Sequence, residues 1–268
     1  MNLIFNMKTI KSTLLISTYN WPEALELVLK SVAIQTHLPD EIIIADDGST
    51  DETKQLINSF KSQFSIPLIH VWHEDDGFRK SQILNKAIVK STGDYIIQSD
   101  GDCILHPSFV KDHLKGAINN HYLFGSRVNI QAFYLKNLFS NKQITFNLFS
   151  KGIKKRTRAL HSAFLSSFYI AQNNYSKKFR GCNTSFFKSD FLAVNGYNED
   201  ITGWGREDSE LMLRMHNKGV KARRLRYHGI VFHIWHKEKS KDRCETNDKI
   251  QQTVIDNALS WCANGINK

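Results

Sequence analysis

The feature that most constrains this chain is a rhythm in its first hundred residues. Short apolar runs recur, helical spacing fills the gaps, and the runs end in polar residues. Residues 13–17 (TLLIS) read as a buried strand. Ala24, Leu25, Val28, Val32 and Ala33 follow at helical spacing. Asn20 stands ahead of them as an N-cap, with Pro22 in the first turn and Glu23 at the capping-box position. This helix must stop before Pro39. Residues 41–45 (EIIIA) form the next strand, and Ser49 with Glu52 opens a second helix through Leu56, Ile57 and Phe60. A third strand is expected at 67–72 and a third helix at 81–90, closed by Gly93 as its C′ residue. Residues 94–98 give a fourth strand, and another helix starts after Pro107. Continuous apolar strands alternating with helices predict an α/β fold, a mostly parallel central sheet with helices on both faces. In such sheets ligands bind beyond the carboxyl ends of the strands.

The pattern breaks from about 120 to 178. That stretch is aromatic and basic without a clear period, and it reads as an irregular or helical excursion. The rhythm returns with a strand at 180–187 (RGCNTSFF), a helix at 205–219 closed by Gly219, and a short strand at 230–235. The expected organisation is one domain over 1–268. Residues 1–118 form its first half, 119–238 its second, and 239–268 a charged tail.

Composition narrows the class. At 268 residues and 41% hydrophobic, the chain can bury a sizeable core. Cys103, Cys182, Cys244 and Cys262 show no CxxC spacing, so a disulfide framework or zinc knot is not expected and a reducing cytoplasm fits. The amino-terminal MNLIFNMKTIKS lacks the apolar core and cleavage site of a signal peptide, and no run of 18 apolar residues predicts a membrane span. The net charge of +10 suits nucleic acid or an anionic membrane surface, while a solvated lysine-rich surface explains it as well. The cations crowd at Lys151, Lys154, Lys155, Arg156 and Arg158, at Lys177, Lys178 and Arg180, and from Lys221 to Arg226. They avoid the motif-bearing half, and no RNP, zinc-finger or helix-turn-helix signature accompanies them, which argues against nucleic acid.

Four motifs carry candidate chemistry, each beside a plainer reading. Asp100-Gly101-Asp102 ends the fourth strand. Two adjacent carboxylates suit a divalent cation that holds a phosphate, or simply a tight turn. Asp46-Asp47-Gly48-Ser49 ends the second strand. Turn and cap chemistry explains Gly48 and Ser49, but it explains Asp47 less well, and a carboxylate there can accept hydrogen bonds from a base or ribose. Gly203-Trp204-Gly205-Arg206-Glu207-Asp208 opens a helix. Acids are favoured there by the macrodipole, and one could also serve as a general base while Trp204 packs on a flat substrate. His233 and His236 follow a strand, as structural histidines or, with Asp102, as ligands of a mixed oxygen and nitrogen metal site.

Together STYN, DDGST, DGD and GWGRED resemble the motifs of a family 2-type inverting glycosyltransferase with the GT-A fold. GWGRED and the following HIWH are also similar to the C-terminal region of galactosyltransferase- and chondroitin-polymerase-like enzymes. The likeness covers about residues 10–238, apart from 120–178. It implies a UDP-sugar donor, a glycan or lipid-linked glycan acceptor, and Mn²⁺ or Mg²⁺. On this likeness Ser17, Thr18, Asp46, Asp47, Arg79, Asn85 and Asp100 serve the nucleotide-sugar. Asp102 with His233 or His236 holds the metal. Asp208 is the base, beside Glu207, and Trp204 meets the acceptor. The acceptor would be a lipopolysaccharide, lipooligosaccharide or capsule precursor. Lys151 to Arg158, with Phe146, Leu148 and Phe149, would then rest on an anionic bilayer, or else fold over the acceptor as a solvated excursion. A metal-dependent nucleotidyltransferase also needs paired carboxylates and a nucleotide, but not the GWGRED segment.

Overall fold

The computed structural model describes residues 10–171, 173–176, 179–237, 240 and 242–268. Lys177, Lys178 and the first nine residues, on which the signal-peptide reading partly rests, lie outside it. The first half runs β1 (Ser12–Thr18), α1 (Pro22–Ala33), β2 (Glu41–Asp46), α2 (Asp51–Lys61), β3 (Leu68–Trp72), α3 (Lys80–Lys90), β4 (Tyr95–Asp100), β5 (Cys103–Leu105) and α4 (Phe109–Gly116). The second half runs β6 (His121–Phe124), β7 (Ser126–Ile130), α5 (Leu135–Ser140), β8 (Ile153–Lys154), α6 (Ala163–Ser167), β9 (Asn183–Phe187), α7 (Lys188–Leu192), α8 (Glu207–Asn217), β10 (Lys221–Arg224), β11 (Ile230–His233) and α9 (Cys244–Asp256).

The main sheet has seven strands in the order β10-β6-β9-β4-β1-β2-β3, all parallel except β9, which runs against both of its neighbours. This is the expected α/β architecture. Successive strand residues point to opposite faces. Leu15, Ile43 and Ile96 therefore pack with α3 and α8 on one side, while Leu14, Ile16, Ile42 and Ile97 pack with α1, α2 and α4 on the other. A second sheet, β5-β11-β7-β8, buries Ile104, Phe232, Val128 and Ile153 against Ala24 and Leu27 of α1. Its opposite face carries Cys103, His233, Asn129 and Lys154 in one cross-strand row.

Several local expectations are corrected. Asn20 does not cap α1. It sits at φ 44°, accepts the Thr50 N–H at 2.9 Å and donates its own N–H to Ser49 Oγ at 2.8 Å, tying two strand-end loops together. Ser49 is thereby taken from its own capping box, and the N-cap of α2 is Thr50. Gly93 does not close α3, whose C-cap is Ser91. Gly93 lies so close to Thr13 that a Cβ would come within 2.8 Å of the Thr13 backbone. Gly219 does close its helix, at φ 99°. The excursion is less irregular than its sequence: it opens with β6 and β7, one strand for each sheet. The charged tail contains α9, which packs on α8. Phe146 is buried against Phe232 with ring centroids 4.9 Å apart, so it cannot face a bilayer.

Candidate active site

The carboxyl ends of β1, β2 and β4 open into one cleft of about 1190 Å³. Asp100 ends β4 in the main sheet, Gly101 turns the chain, and Asp102 immediately precedes β5 in the second sheet. The DGD motif is thus a turn and a site at once. Gly101 donates its N–H to the Ser17 carbonyl at 2.7 Å, and a Cβ there would meet Thr18 at 3.0 Å. The turn is pressed onto β1, and both Ser17 and Thr18 line the cleft.

Asp100 is held by two partners. Ser17 Oγ donates to its Oδ1 at 2.7 Å and Lys80 Nζ at 2.8 Å. Burial works against its ionisation, but the Lys80 ammonium and the Ser17 hydroxyl bring its carboxyl below the ordinary value. Lys80 responds in kind. Burial disfavours its charge, yet Asp100, then Glu207, hold it well above the ordinary lysine value. Asp47 also lines the cleft, buried, with His73 Nε2 2.7 Å from Oδ1 and the Arg79 N–H donating to Oδ2 at 3.0 Å. Burial pushes its carboxyl up while His73 and the Arg79 N–H pull the other way.

At the turn, Asp102 Oδ2 lies 3.3 Å from His236 Nε2 and 3.6 Å from His233 Nε2. One ligand atom from each of the three residues falls within 4.8 Å of the others. Nδ1 of His236 is 2.9 Å from the Lys237 carbonyl, an arrangement that places the proton on Nδ1 and leaves Nε2 its lone pair. Burial lowers the His233 imidazole below its ordinary value, which favours the neutral, ligating form. One carboxylate and two imidazoles fit a divalent cation.

The opposite wall is built by GWGRED. Gly203, Gly205 and Arg206 have φ of 71°, 106° and 79°, so the loop coils through left-handed backbone before α8 begins at Glu207. The tail secures this loop. Asn247 of α9, fully buried, donates to the carbonyls of Thr202 and Gly205 at 3.0 and 2.9 Å, and Arg206 pairs with Asp248 at 2.5 Å. Trp204 stands half exposed on the cleft. Asp208 Oδ2 accepts the Gly181 N–H at 2.7 Å. Glu207 has a buried Oε2 with no hydrogen-bond partner, and burial, then the Asp208 charge, push its carboxyl up to about 7. Two neighbouring acids are thus differentiated, one anchored to backbone and one held near neutrality.

Comparison with known proteins identifies this arrangement. The model of the family described as glycosyl transferase family 2 matches residues 13–177. The chain belongs to glycosyltransferase family 2. A second model, described as the N-terminal domain of galactosyltransferase, matches residues 162–237 and so spans GWGRED, His233 and His236. Among curated relatives, an uncharacterized glycosyltransferase of Nostoc sp. is 30% identical over 97 residues, covering 36% of this chain and 30% of that one. The hyaluronan synthase of Pasteurella multocida is 28% identical over 103 residues, covering 38% of this chain and 10% of its own. The chain therefore spans less than a third of the length of these relatives. Among solved structures, S. aureus TarS residues 1–349 in complex with UDP superposes with a TM-score of 0.63 at 14% identity, over 92% of this chain and 65% of that one. This likeness carries the GT-A fold.

Within this family 2 chain, three residues expected at the donor site stand outside the cleft lining. Asp46 is fully buried, with Oδ2 2.8 Å from His70 Nε2 and Oδ1 accepting the Ser49 N–H at 2.9 Å. Asn85 spans Tyr197 and Glu199 through its amide, which holds α3 to the turn after α7. Arg79 reaches Asp47 through its backbone N–H, while its guanidinium turns to the Glu74 carbonyl and Asp76. Sequence reasoning missed Lys80, His73, Gly181 and Arg127. The cluster FRKS, beside so many acids, was the signal for Lys80. Arg127 gave none, because the excursion hid it, and Gly181 gave none, because it acts through its backbone N–H.

Proposed function

We propose that this chain is a divalent-metal-dependent inverting glycosyltransferase. It moves a hexose or N-acetylhexosamine from a UDP-sugar to a hydroxyl of a lipid-linked surface glycan precursor, of lipopolysaccharide, lipooligosaccharide or capsule type, at the cytoplasmic face of the plasma membrane. The reading rests on one observation: Asp102 and His236, with His233 set against them, line the same cleft as the acid pair Glu207 and Asp208. The UDP complex of TarS supports a uridine donor. No helix among the described residues is long and apolar enough to cross a membrane.

In this mechanism Ser17, Thr18 and Asp47 receive the nucleoside, and Asp100, fixed by Ser17 and Lys80, receives the ribose. Asp102, His233 and His236 hold the cation, which when bound supplies Lewis-acid stabilisation of the departing diphosphate. Asp208, with Oδ2 anchored by the Gly181 N–H, takes the proton of the acceptor hydroxyl as general base. Glu207, carrying a proton near neutral pH, donates a hydrogen bond to the acceptor, and Trp204 covers its ring face.

The direct test is a screen of UDP-glucose, UDP-galactose, UDP-N-acetylglucosamine and UDP-N-acetylgalactosamine for thermal stabilisation and hydrolysis, with Mn²⁺, with Mg²⁺ and with neither. At least one sugar nucleotide should stabilise and be hydrolysed only with metal. No metal-dependent response to any of them would end the proposal.

A further inference from the structure

The excursion carries a charge pattern that the donor site does not use. Between Asp112 and Asp190 there is no aspartate or glutamate, while thirteen lysines and arginines occur there. This stretch alone exceeds the net charge of +10 for the whole chain. The same stretch displays the most exposed large apolar side chains among the described residues. Phe133, Phe149, Phe164, Phe168 and Ile170 are 70–88% exposed, and none elsewhere passes 52%. Two of the rings are fixed in place. Phe164 and Phe168, four residues apart at α6, meet edge to face with centroids 5.0 Å apart. The helix under them is capped by Ser162 Oγ, which accepts the Leu165 N–H at 3.2 Å. Cations stand beside them. The Ser162 N–H at the start of α6 donates to the Tyr227 carbonyl at 3.1 Å, the neighbouring Arg226 guanidinium lies 4.8 Å from the Tyr227 ring, and Arg224 ends β10 two residues before it. Lys155 is held below the ordinary lysine value by Arg158 first and by further cations, Arg127 and Arg180 among them, and those two line the cleft.

Exposed rings alone would suit any apolar partner, and cations alone any polyanion. A segment without acids that presents aromatic rings outward next to cations is complementary to an anionic bilayer, where rings enter the headgroup boundary and cations meet lipid phosphates. We propose that the α6 end of the excursion docks on anionic lipid, with Phe164, Phe168 and Ile170 entering the interface and Lys155, Arg158, Arg224 and Arg226 meeting the phosphates. The cleft wall with Arg127 and Arg180 adjoins this surface, so docking brings the cleft to a membrane-borne acceptor. This rests on the acceptor reading above.

Co-sedimentation of the full chain with phosphatidylcholine vesicles, with and without phosphatidylglycerol, tests it. Binding should require phosphatidylglycerol and weaken with salt. Phe164→Ser with Phe168→Ser should weaken it by about tenfold or more. Lys155→Ala and Arg158→Ala should each weaken it about fivefold. Calorimetric UDP binding, unchanged in every variant, excludes misfolding. Failure to sediment with either vesicle overturns the proposal. So does binding that survives loss of the rings and is fully competed by soluble polyphosphate, which would assign the surface to a soluble polyanion. UDP-sugar hydrolysis without vesicle binding would refute the docking alone. Vesicle binding without UDP binding would support the docking and refute the donor assignment.

Discussion

The helix that presents the two acids is held from behind by one buried arginine, and its removal has a calculable cost. Arg214 is completely buried in α8. Its Nε and Nη2 donate to Glu210, one turn earlier, at 2.7 Å each, and its remaining hydrogen bonds reach the Val194 and Gly196 carbonyls at 2.5 and 2.8 Å. Arg214→Met keeps most of the volume and removes every donor. It leaves the Glu210 carboxylate buried without a counter-charge and the Val194 and Gly196 carbonyls without their guanidinium donors. Breaking one side of a buried, hydrogen-bonded pair costs about 3–5 kcal/mol. In a chain of this size that corresponds to a fall in Tm of about 6–20 °C, measured by circular dichroism or calorimetry. The comparison that isolates the cause is Glu210→Leu with Arg214→Met. It removes the stranded charge, and because well-packed apolar residues often replace buried ion pairs at no cost, it should recover most of the loss. A single variant within about 1 kcal/mol of the parent, or a double variant no better than the single, would refute the reasoning.

Further expectations concern the cleft. Asp208→Asn should leave UDP affinity nearly unchanged while turnover falls about 10²–10⁴-fold, and retained turnover would remove the base assignment. Asp102→Ala should abolish the metal dependence of UDP binding in calorimetry; an unaltered titration would exclude this carboxylate from the cation site. Gly181→Ala sets a Cβ 2.9 Å from the Asp208 Cβ, so it should lower kcat with little effect on UDP affinity, and an unchanged kcat would show that the acid's anchorage does not matter. For Glu207, the folded-state value of about 7 lies above the ordinary 4.5, so the native state keeps the extra proton and stability falls as pH rises through that interval. Glu207→Gln removes this loss. In metal-free protein its Tm relative to the parent should climb between about pH 4.5 and pH 7, and a constant difference would contradict it.

The sheet was legible because its signal is local and repeated. Isoleucine runs such as EIIIA are buried on both sides, and the polar residues after them mark the strand ends. The acids of DGD and GWGRED were legible for the same reason, since they stand at element ends. What escaped reading depends on distant partners. Asn20 looked like a helix cap, but Thr50 and Ser49, thirty residues away, compete for its polar groups. Asp46 and Asp47 look alike in sequence, yet alternation along β2 turns Asp46 to His70 and leaves Asp47 at the cleft. The tail reads as charge because α9 buries only Asn247 and Val254, too few residues to leave an apolar stripe.

The reversal of β9 within an otherwise parallel sheet has a consequence for how such chains can be altered. At the cleft edge the other strands of the main sheet finish, and β9 begins. Between β7 and β9 the chain therefore makes a detour that, among the described residues, adds only β8 to the sheets and returns to the framework beside the cleft. Both anchor points are fixed by ladders outside the detour. A chimera that exchanges residues 131–171, keeping the apolar pattern of Leu138, Phe146 and Ile153, would leave in place every cleft-lining residue among the described ones, Gly181 included. One contiguous graft can therefore vary this region while the strand ends that carry Asp47, Asp100 and Asp102 stay as they are.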